Sequence, residues 1–345
     1  MQALEYKVAQ WWEPIDKNKI LCTLCPRYCK IGPGQSGFCY IRQNKDGKLI
    51  TTGYGHPTGF AVDPIEKKPL SHFFPGSSIL SFGTAGCNLG CRFCQNWSIS
   101  KAKLDDLQAL SVSPEQVVKM ALKHHTPSIA YTYNDPTIFG EYVIDVSKLA
   151  REEGIRSVMV TAGYIDKNAR KDVYQYIDAA NVDLKAFTDR FYHKLTFSHL
   201  ADVLDTLIWL KTETEVWIEI TTLLIPDEND SQEELHQMCE WILNHLGENV
   251  PLHFTAFHPD FKLTNKTRTP ESTLKMAREI ALKEGIKYCY LGNIYDQEGQ
   301  STRCPQCNSL LIIRDWHTIL SNKMDGDKCY NCGYKIAGIF ERQLT

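Results

Sequence analysis

Short apolar runs alternate with amphipathic stretches from about residue 79 to residue 292, and this alternation constrains the fold more than any other feature of the chain. The pattern predicts strands at 79–82, 128–133, 157–161, 182–184, 216–224, 252–257 and 288–291. Helices are predicted at 137–153, 167–180, 231–246 and 270–284, with helical sequence also between 184 and 211. Alternating strands and helices with short connections favour a parallel sheet with right-handed crossovers.

Polar residues follow four of the predicted strands. Periodicity does not separate a doubly wound sheet from a barrel, but both place their chemistry at the carboxyl ends of the strands. The residues found there are Asn134, Asp135, Thr161, Gly163, Asp183, Lys185 and His258. Any one of them can be an ordinary turn or capping residue. Because such residues follow several of the predicted strands, the sequence predicts a functional site at this end of the sheet.

Eleven of the thirteen cysteines fall into three groups with the spacing of metal ligands. The groups are Cys22, Cys25, Cys29 and Cys39; Cys87, Cys91 and Cys94; and Cys304, Cys307, Cys329 and Cys332. In a chain without a secretory signal such groups indicate metal binding rather than disulfides. Cys239 and Cys289 are isolated and are expected to be small buried hydrophobes.

The middle group has only three cysteines, in a C-x3-C-x2-C run after the predicted strand 79–82. Structural zinc requires four closed ligands, and this loop offers three thiols and no neighbouring histidine. A cubane iron–sulfur cluster normally has a thiolate on each of its four irons, so three would leave one iron open for another ligand. The shortage therefore favours a [4Fe–4S] cluster with a reactive position.

The two terminal groups offer four thiols each. Cys304-Pro-Gln-Cys307 and Cys329-Tyr-Asn-Cys332-Gly333 have the spacing of a zinc ribbon, which predicts Zn²⁺ in an appendage too small to build its own core; a rubredoxin-like iron site is the alternative. For the N-terminal group both zinc and an auxiliary Fe–S cluster remain open. Zinc or another structural role is slightly favoured there, because four protein ligands leave no reactive position.

The cysteine run, with Phe93 before its last cysteine, resembles the CxxxCxxC motif of the radical S-adenosylmethionine (SAM) superfamily. Residues 78–292 are similar to its pyruvate-formate-lyase-activating-enzyme branch. The strings CTLCPRYC, CNLGCRFCQNWSIS and YTYNDPTI, together with the C-terminal extension, resemble the radical SAM enzyme of the AmmeMemoRadiSam system over the whole chain. The resemblance implies an α/β fold: a partial (β/α)6 barrel at 78–300 between a Cys-rich extension at 1–77 and a zinc-ribbon-like domain at 301–345.

The same resemblance implies roles for individual residues. Cys87, Cys91 and Cys94 would hold the cluster, whose open iron binds the amino and carboxylate groups of SAM. Phe93 is expected near the adenine, Asn134 and Asp135 at the SAM amino group, Thr161 and Gly163 near the ribose and carboxylate, Asp183 and Lys185 at the carboxylate, and His258 near the adenosine. Related sequences usually have glutamate where this chain has Asp135, which is one methylene shorter.

The activity implied is reductive cleavage of SAM, followed by hydrogen abstraction from an unidentified small-molecule or protein substrate. One alternative is activation of a glycyl-radical enzyme, and a second is a non-catalytic Fe–S or zinc protein with a redox or scaffold role. The resemblance also implies a low-potential electron donor, flavodoxin or ferredoxin, and partner proteins of the AmmeMemoRadiSam system. Tyr131, Tyr133, Tyr164, Tyr290 and Asn293 are candidates for the substrate site.

Charge and hydrophobicity limit the classes of partner and the cellular location expected for the chain. A net charge of −3 without a basic stripe argues against a nucleic-acid partner. The N-terminus lacks the features of a signal peptide, and no apolar run approaches the length of a membrane span. We therefore expect a cytoplasmic protein without a membrane partner.

Overall fold

The N-terminal region consists of short antiparallel strands. The structure, a computed structural model, describes residues 6–107 and 110–340. The first six strands are β1 Lys7–Val8, β2 Trp12–Ile15, β3 Lys19–Cys22, β4 Lys30–Ile31, β5 Arg42–Lys45 and β6 Lys48–Thr51. They form two three-stranded sheets with the orders β1-β6-β5 and β2-β3-β4.

A central sheet of eight strands follows. Its members are β7 Thr58–Pro64, β8 Ser78–Gly83, β9 Ser128–Tyr131, β10 Arg156–Thr161, β11 Ala179–Asp183, β12 Trp217–Leu224, β13 Leu252–Ala256 and β14 Cys289–Gly292. Strands β8 to β14 are parallel and each pairs with its neighbour in sequence, whereas β7 is antiparallel to β8 at one edge. Sequential parallel pairing with β7 and β14 left as edges is the arrangement of an open barrel, so the predicted α/β fold with a parallel sheet is confirmed.

The helices lie between these strands. Their bounds are α1 Trp97–Ser100, α2 Pro114–Lys123, α3 Gly140–Glu152, α4 Ala169–Val173, α5 Asp189–Phe191, α6 Leu200–Glu213, α7 Gln232–His245 and α8 Glu271–Glu284. Short 3-10 helices occur at Ile65–Lys67, Leu104–Asp106 and Pro136–Phe139, and a short π-helix at Tyr192–Thr196. Helix α2 begins where the sequence supplies a cap, since the Ser113 side chain accepts a hydrogen bond from the Gln116 N–H and Pro114 occupies the first turn.

Two predicted helices differ from the observed ones. The helix predicted at 167–180 is confined to α4, and Ala179 and Ala180 instead begin strand β11. Both alanines are fully buried between β10 and β12, so burial in the sheet overrides their helical propensity. The helical sequence between 184 and 211 is interrupted at Phe197, whose φ of 56° is incompatible with a continuous helix.

The segment between β7 and β8 closes the amino end of the barrel. Leu70 and Phe73 in this segment pack against Ile79, Ala130 and Val158 near the starts of three strands. The opposite end, where the strands finish, is therefore the open mouth. The predicted boundary at residue 77 separates β7 from the barrel domain, although β7 is hydrogen-bonded to β8 and belongs to the central sheet.

The C-terminal region is a small β-structure that packs on the barrel. Its elements are α9 Gln297–Gln300, β15 Thr302–Arg303, β16 Leu310–Asp315, β17 Thr318–Asn322, β18 Met324–Asp325 and β19 Lys328–Cys329. Arg314 is buried and donates hydrogen bonds to the Ser71 carbonyl at 2.8 Å and to Thr302 Oγ1 at 2.8 Å. None of the helices in the described part of the chain combines the length and the apolar character needed to cross a membrane.

Candidate active site

A cavity opens at the carboxyl ends of the barrel strands. Of the residues predicted from the sequence, Cys87, Cys91, Phe93, Cys94, Asn134, Asp135, Thr161, Asp183 and Lys185 line it. They follow four different strands, β8 to β11, and are brought together because the parallel strands end at the same edge. The expectation that polar residues after successive strands share one site agrees with this arrangement.

The cysteine loop after β8 is held from both sides. The Gly86 N–H donates to the Ile99 carbonyl at 2.9 Å, and the Lys101 ammonium donates to the Leu89 carbonyl at 2.6 Å. Leu89 in turn donates its N–H to Cys87 Sγ at 3.4 Å. Gly86 has φ +81°, a conformation that favours glycine. These hydrogen bonds within the protein therefore fix the position of the cysteine loop.

The three thiols fit a cluster better than a single ion. Among the described residues, these three thiols do not form one of the close side-chain groups that could hold a single metal ion. Burial raises the pKa of Cys91 to about 12, although the nearby Lys185 ammonium acts in the opposite direction. A thiolate at such a position needs a metal partner, because metal binding is what displaces the proton. Neither a fourth cysteine nor a histidine is among the described residues that line the cavity.

An ion pair lies beside the cysteines at the end of β11. Lys185 Nζ is 2.7 Å from Asp183 Oδ2. Burial by itself would lower the pKa of Lys185, but Asp183 and Cys91 hold it above its ordinary value, so the side chain is cationic. The Lys185 side chain is 14% exposed and that of Asp183 is 34% exposed. A cation and a carboxylate at the rim of one cavity can bind the two charged groups of an amino acid.

Hydrogen bonds hold the Asp135 side chain between the loop after β9 and the end of β10. Its carboxylate accepts hydrogen bonds from the Thr137 N–H at 2.9 Å, the Ala162 N–H at 2.9 Å and the Thr161 hydroxyl at 3.2 Å. Burial raises its pKa, while these donors favour the ionised form. Both oxygens are therefore occupied from within the protein, and Asp135 links the loop after β9 to the end of β10.

Asn134 also links neighbouring strand ends, but it connects the loop after β9 to the loop after β8. Its Oδ1 accepts from the Thr84 N–H at 3.1 Å, and its Nδ2 donates to the Gly86 carbonyl at 2.7 Å. The side chain is 5% exposed. Asn134 therefore connects the loop after β9 to the start of the cysteine loop, which fixes the position of Cys87 relative to Asp135.

Two predicted site residues are not among those lining the cavity. Gly163 has φ +66° and packs toward Val182, Thr206 and Val203, so it turns the chain beneath helix α6. His258 is exposed at the end of β13. Both roles stay predictions.

The five candidates for the substrate site divide into two sets. Tyr133 and Asn293 line the cavity. Tyr131 is fully buried and bonded to Ser147, and Tyr164 and Tyr290 are buried as well. These three tyrosines belong to the protein interior.

Sequence reasoning missed Thr221 and Thr255, which line the cavity from β12 and β13. Both occupy positions on these two strands whose side chains face the barrel interior, together with Glu219 and His253 two residues earlier. The sequence signal that could have identified them is the recurrence of polar residues at every second position of these otherwise apolar strands. Pro69, from the segment that closes the amino end, also reaches the cavity, and nothing in its sequence context indicated this.

The C-terminal cysteines form a compact group. Cys304 and Cys332 sulfurs are 3.6 Å apart, as are those of Cys307 and Cys329, and all four lie within 4.8 Å of one another. Hydrogen bonds with Ser309 lower the pKa of Cys307, which favours a thiolate. This is a four-thiol site able to hold a metal ion.

Comparison with known proteins gives the family. A model described as the radical SAM superfamily matches residues 82–241. An uncharacterized protein of Methanocaldococcus jannaschii is 42% identical over 330 residues, which are 95% of this chain and 98% of that protein. A pyruvate formate-lyase-activating enzyme of Clostridium pasteurianum is 24% identical over 169 residues, which are 46% of this chain and 67% of that enzyme.

Solved structures are similar as well. A radical SAM methyltransferase from Sphaerobacter thermophilus is 16% identical, with a TM-score of 0.49 and coverage of 69% of this chain and 71% of that one. The match to the superfamily model falls on the stretch that carries the cysteine loop and strands β9 to β12. The chain contains a radical SAM superfamily domain at residues 82–241, is homologous to pyruvate formate-lyase-activating enzymes and related activating enzymes, and is an enzyme.

Proposed function

We propose that the cavity at the carboxyl ends of the strands binds SAM on a [4Fe–4S] cluster held by Cys87, Cys91 and Cys94. The observation that carries this proposal is the convergence of three thiols and the Asp183–Lys185 pair on one cavity. Three thiolates leave one iron of a cubane without a protein ligand. SAM supplies an amine and a carboxylate that can occupy it.

When bound through Cys87, Cys91 and Cys94, the cluster would supply the electron for reductive cleavage of SAM, and the chemistry supported in this way would be hydrogen abstraction from the substrate. The chain contributes binding and orientation. Lys185 faces the SAM carboxylate with Asp183 beside it, and Phe93 packs near the adenine. Its ring, 4% exposed and 5.6 Å from Phe191, offers a fixed apolar surface.

Asp135 acts mainly by position. Since its oxygens already accept from Thr137, Thr161 and Ala162, it orients the end of β10 toward the ligand, and any contact with the SAM amino group is shared with these donors. Asn134 positions the cysteine loop. Thr161 lies on the wall where the ribose and carboxylate are expected, and Gly163 and His258 are assigned to the ribose and adenosine by resemblance alone.

Two classes of substrate are proposed. Activation of a glycyl-radical enzyme is supported by the similarity to the Clostridium pasteurianum enzyme and by 24% identity over 173 residues to a (2S)-3-sulfopropanediol dehydratase activating enzyme of Klebsiella oxytoca. Modification of a small molecule or another protein, with partners of the AmmeMemoRadiSam system, follows from the resemblance of the whole sequence. In both cases a flavodoxin or ferredoxin is the proposed electron donor.

The proposed activity is tested with anaerobically reconstituted full-length protein, SAM and dithionite. We expect 5′-deoxyadenosine and methionine to form in equal amounts, measured by chromatography with mass detection. Addition of a deuterated candidate substrate should transfer deuterium to 5′-deoxyadenosine and so identify the molecule attacked. A protein that carries the cluster and binds SAM but forms no 5′-deoxyadenosine under reduction would contradict the proposal.

Replacement of Lys185 tests the binding of the SAM carboxylate. The variant Lys185→Met keeps the length of the side chain and removes its charge, and a charge-assisted hydrogen bond contributes about 1.5–3 kcal/mol, so SAM affinity should fall about tenfold to a hundredfold. Iron content should stay that of the unmodified protein. Equilibrium dialysis with labelled SAM measures the affinity.

The exposed Lys194 lies nearby in the chain and gives a matched control, Lys194→Met. It should leave both SAM affinity and iron content unchanged. Loss of the iron chromophore in Lys185→Met, or unchanged SAM affinity, would contradict the assignment.

We further propose Zn²⁺ at the C-terminal cysteines. Thiolates about 2.3 Å from one tetrahedral ion lie about 4 Å apart, which agrees with the 3.6 Å separations here. The ion would join the turn at Cys304–Cys307 to the turn at Cys329–Cys332 and stabilise the appendage. Elemental analysis of Cys307→Ser checks this: a rubredoxin-like site would lose iron in the variant, and a zinc site would lose zinc.

A further inference from the structure

Three exposed aromatic side chains adjoin Arg27 beside the cysteine loop. Phe38 is 40% exposed, Tyr28 47% and Phe197 51%. The Arg27 guanidinium lies 3.6 Å from the centre of the Phe38 ring and donates a hydrogen bond to the Phe197 carbonyl, and Tyr28 is the next residue in the chain. Single exposed apolar residues are ordinary, but a contiguous group of them indicates a surface that contacts a partner.

This group covers the side of the cysteine loop that faces away from the cavity. The odd-numbered residues from 87 to 93 line the cavity, whereas Asn88, Gly90 and Arg92 between them do not. Arg27 donates to the Asn88 carbonyl, and the ring of Phe197 packs so closely on Gly90 that a Cβ at Gly90 would overlap it. Both contacts therefore fall on the segment between two of the proposed cluster ligands.

The turn that exposes Phe197 is joined to the same loop. The Gly90 N–H donates to the Thr196 carbonyl at 2.8 Å, and the Arg92 N–H donates to the Leu195 carbonyl at 2.9 Å. Phe197 has φ 56°, which is rare for a bulky residue, and its half-exposed ring gains little from burial. Backbone strain of this kind concentrates at functional sites. We therefore looked for a partner that such an exposed ring would contact.

Arg27, Tyr28 and Phe38 belong to the loops of the N-terminal cysteine group. That group lines one small cavity, and its members are Cys22, Cys25, Cys29 and Cys39. A Cβ at Gly86 would overlap the carbonyl oxygen of Cys39, so these loops are in direct contact with the cysteine loop after β8. The metal predicted for the N-terminal group stays a prediction, and the contact between the loops holds the aromatic side chains in place.

The charged groups at the cysteine loop favour an acidic partner. Arg92 is exposed, and the exposed Lys262 donates its N–H to the Arg92 carbonyl at 2.9 Å. Two carboxylates lie nearby, but both accept hydrogen bonds within the protein. Asp166 is buried and accepts from the Tyr28 hydroxyl at 2.6 Å, and Asp260 accepts from the N–H of the next residue at 2.6 Å. Exposed cations beside such paired carboxylates attract and orient a negatively charged protein.

We propose that Arg27, Tyr28, Phe38, Arg92 and Phe197 form the docking surface for an acidic flavodoxin that reduces the cluster, a proposal that rests on the function proposed above. The flavin of a flavodoxin presents an apolar ring edge within an acidic surface, which matches aromatic rings between guanidinium groups. One electron leaves the reduced flavin and enters the cluster, and no bond forms or breaks. Because the partner docks on the outer side of the loop, the cavity mouth stays open to SAM and substrate.

The test compares two reductants in SAM cleavage by the full-length, anaerobically reconstituted protein. One is saturating dithionite, and the other is a limiting amount of bacterial flavodoxin reduced by NADPH and its reductase. In Arg92→Glu and in Phe197→Asn the flavodoxin-driven rate should fall about tenfold, because arginine and aromatic side chains contribute most to such interfaces. The dithionite-driven rate should be unchanged. Asparagine tolerates a positive φ, so Phe197→Asn removes the ring without straining the turn.

Arg151→Glu makes the same change of charge at an exposed position in the last turn of α3 and is the matched control, which should leave both rates unchanged. Raising the ionic strength from about 0.05 M to about 0.3 M should slow flavodoxin-driven cleavage, since salt screens exposed charges. The effect of salt should be smaller in Arg92→Glu than in the unmodified protein.

Flavodoxin-driven cleavage at the unmodified rate in both variants would overturn the docking surface. An equal fall of the dithionite-driven rate would also overturn it, because these residues would then act on the SAM site itself. Cleavage with dithionite and with a low-potential ferredoxin, but not with flavodoxin, would show that the assignment of the partner is wrong. Absence of cleavage by the unmodified protein with dithionite would instead count against the proposed function.

Discussion

Replacing any one of Cys87, Cys91 and Cys94 by alanine should abolish the reductive cleavage of SAM. In the proposed cluster each cysteine would supply the only protein thiolate on one iron, so the loss of one would leave two ligands for the cluster and a second open iron. The expected result is 5′-deoxyadenosine formation at background level and loss of the cluster that responds to SAM. Product is measured by chromatography, and the cluster by electron paramagnetic resonance after reduction.

The fold should survive these substitutions, because most of the contacts that hold the loop do not involve sulfur. The Gly86–Ile99 and Lys101–Leu89 hydrogen bonds, and the Arg92 N–H donated to the Leu195 carbonyl at 2.9 Å, remain in every variant. Far-ultraviolet circular dichroism should therefore match that of the unmodified protein. Cys239→Ala, which removes a buried thiol from helix α7, is the control and should keep full activity. A Cys91→Ala protein that cleaves SAM at the unmodified rate would refute the assignment of the cluster.

The sequence predicts this site well because the rule that places it is topological. Once the strands are identified, the residues that follow them must meet at one edge of a parallel sheet, and Asp135, Asp183 and Lys185 do so. Thr221 and Thr255 were missed because their place in the cavity depends on which face of the strand points inward. That choice is set by pairing and burial and not by the loop sequence.

The interior of the barrel was less predictable. Periodicity identified β12 and β13, but not that Glu219 on one and His253 on the other form a buried pair with Nε2 and Oε2 2.7 Å apart. Nor did it show that the segment between β7 and β8 supplies the remaining partners. To predict long-range pairing of this kind, one must know which loop closes the amino end of the barrel. A polar residue in a predicted strand indicates by itself only an exception to the apolar pattern.

Removal of the Glu219 carboxylate should therefore cause a large loss of stability. The side chain is fully buried and accepts hydrogen bonds from the Ser71 N–H at 2.9 Å, the His72 N–H at 2.8 Å and the Trp217 indole at 3.1 Å, in addition to pairing with His253. Glu219→Ala leaves all these groups without a partner at the amino end of the barrel. Removing one member of such a buried network costs about 3–5 kcal/mol.

In a chain of this size that cost should lower the thermal midpoint by about 4–7 °C, measured by circular dichroism. Glu240→Ala, on the exposed side of helix α7, is the matched control and should shift the midpoint little, because no buried partner is lost. Glu219→Gln keeps the shape and one acceptor oxygen, so its midpoint should fall between the two. If the thermal midpoint of Glu219→Ala equals that of Glu240→Ala, the carboxylate of Glu219 does not stabilise the segment between β7 and β8. Pro69 in that segment also lines the cavity proposed to bind SAM, and Asn181 donates to its carbonyl at 2.8 Å. Loosening the amino end should therefore weaken SAM binding as well as stability.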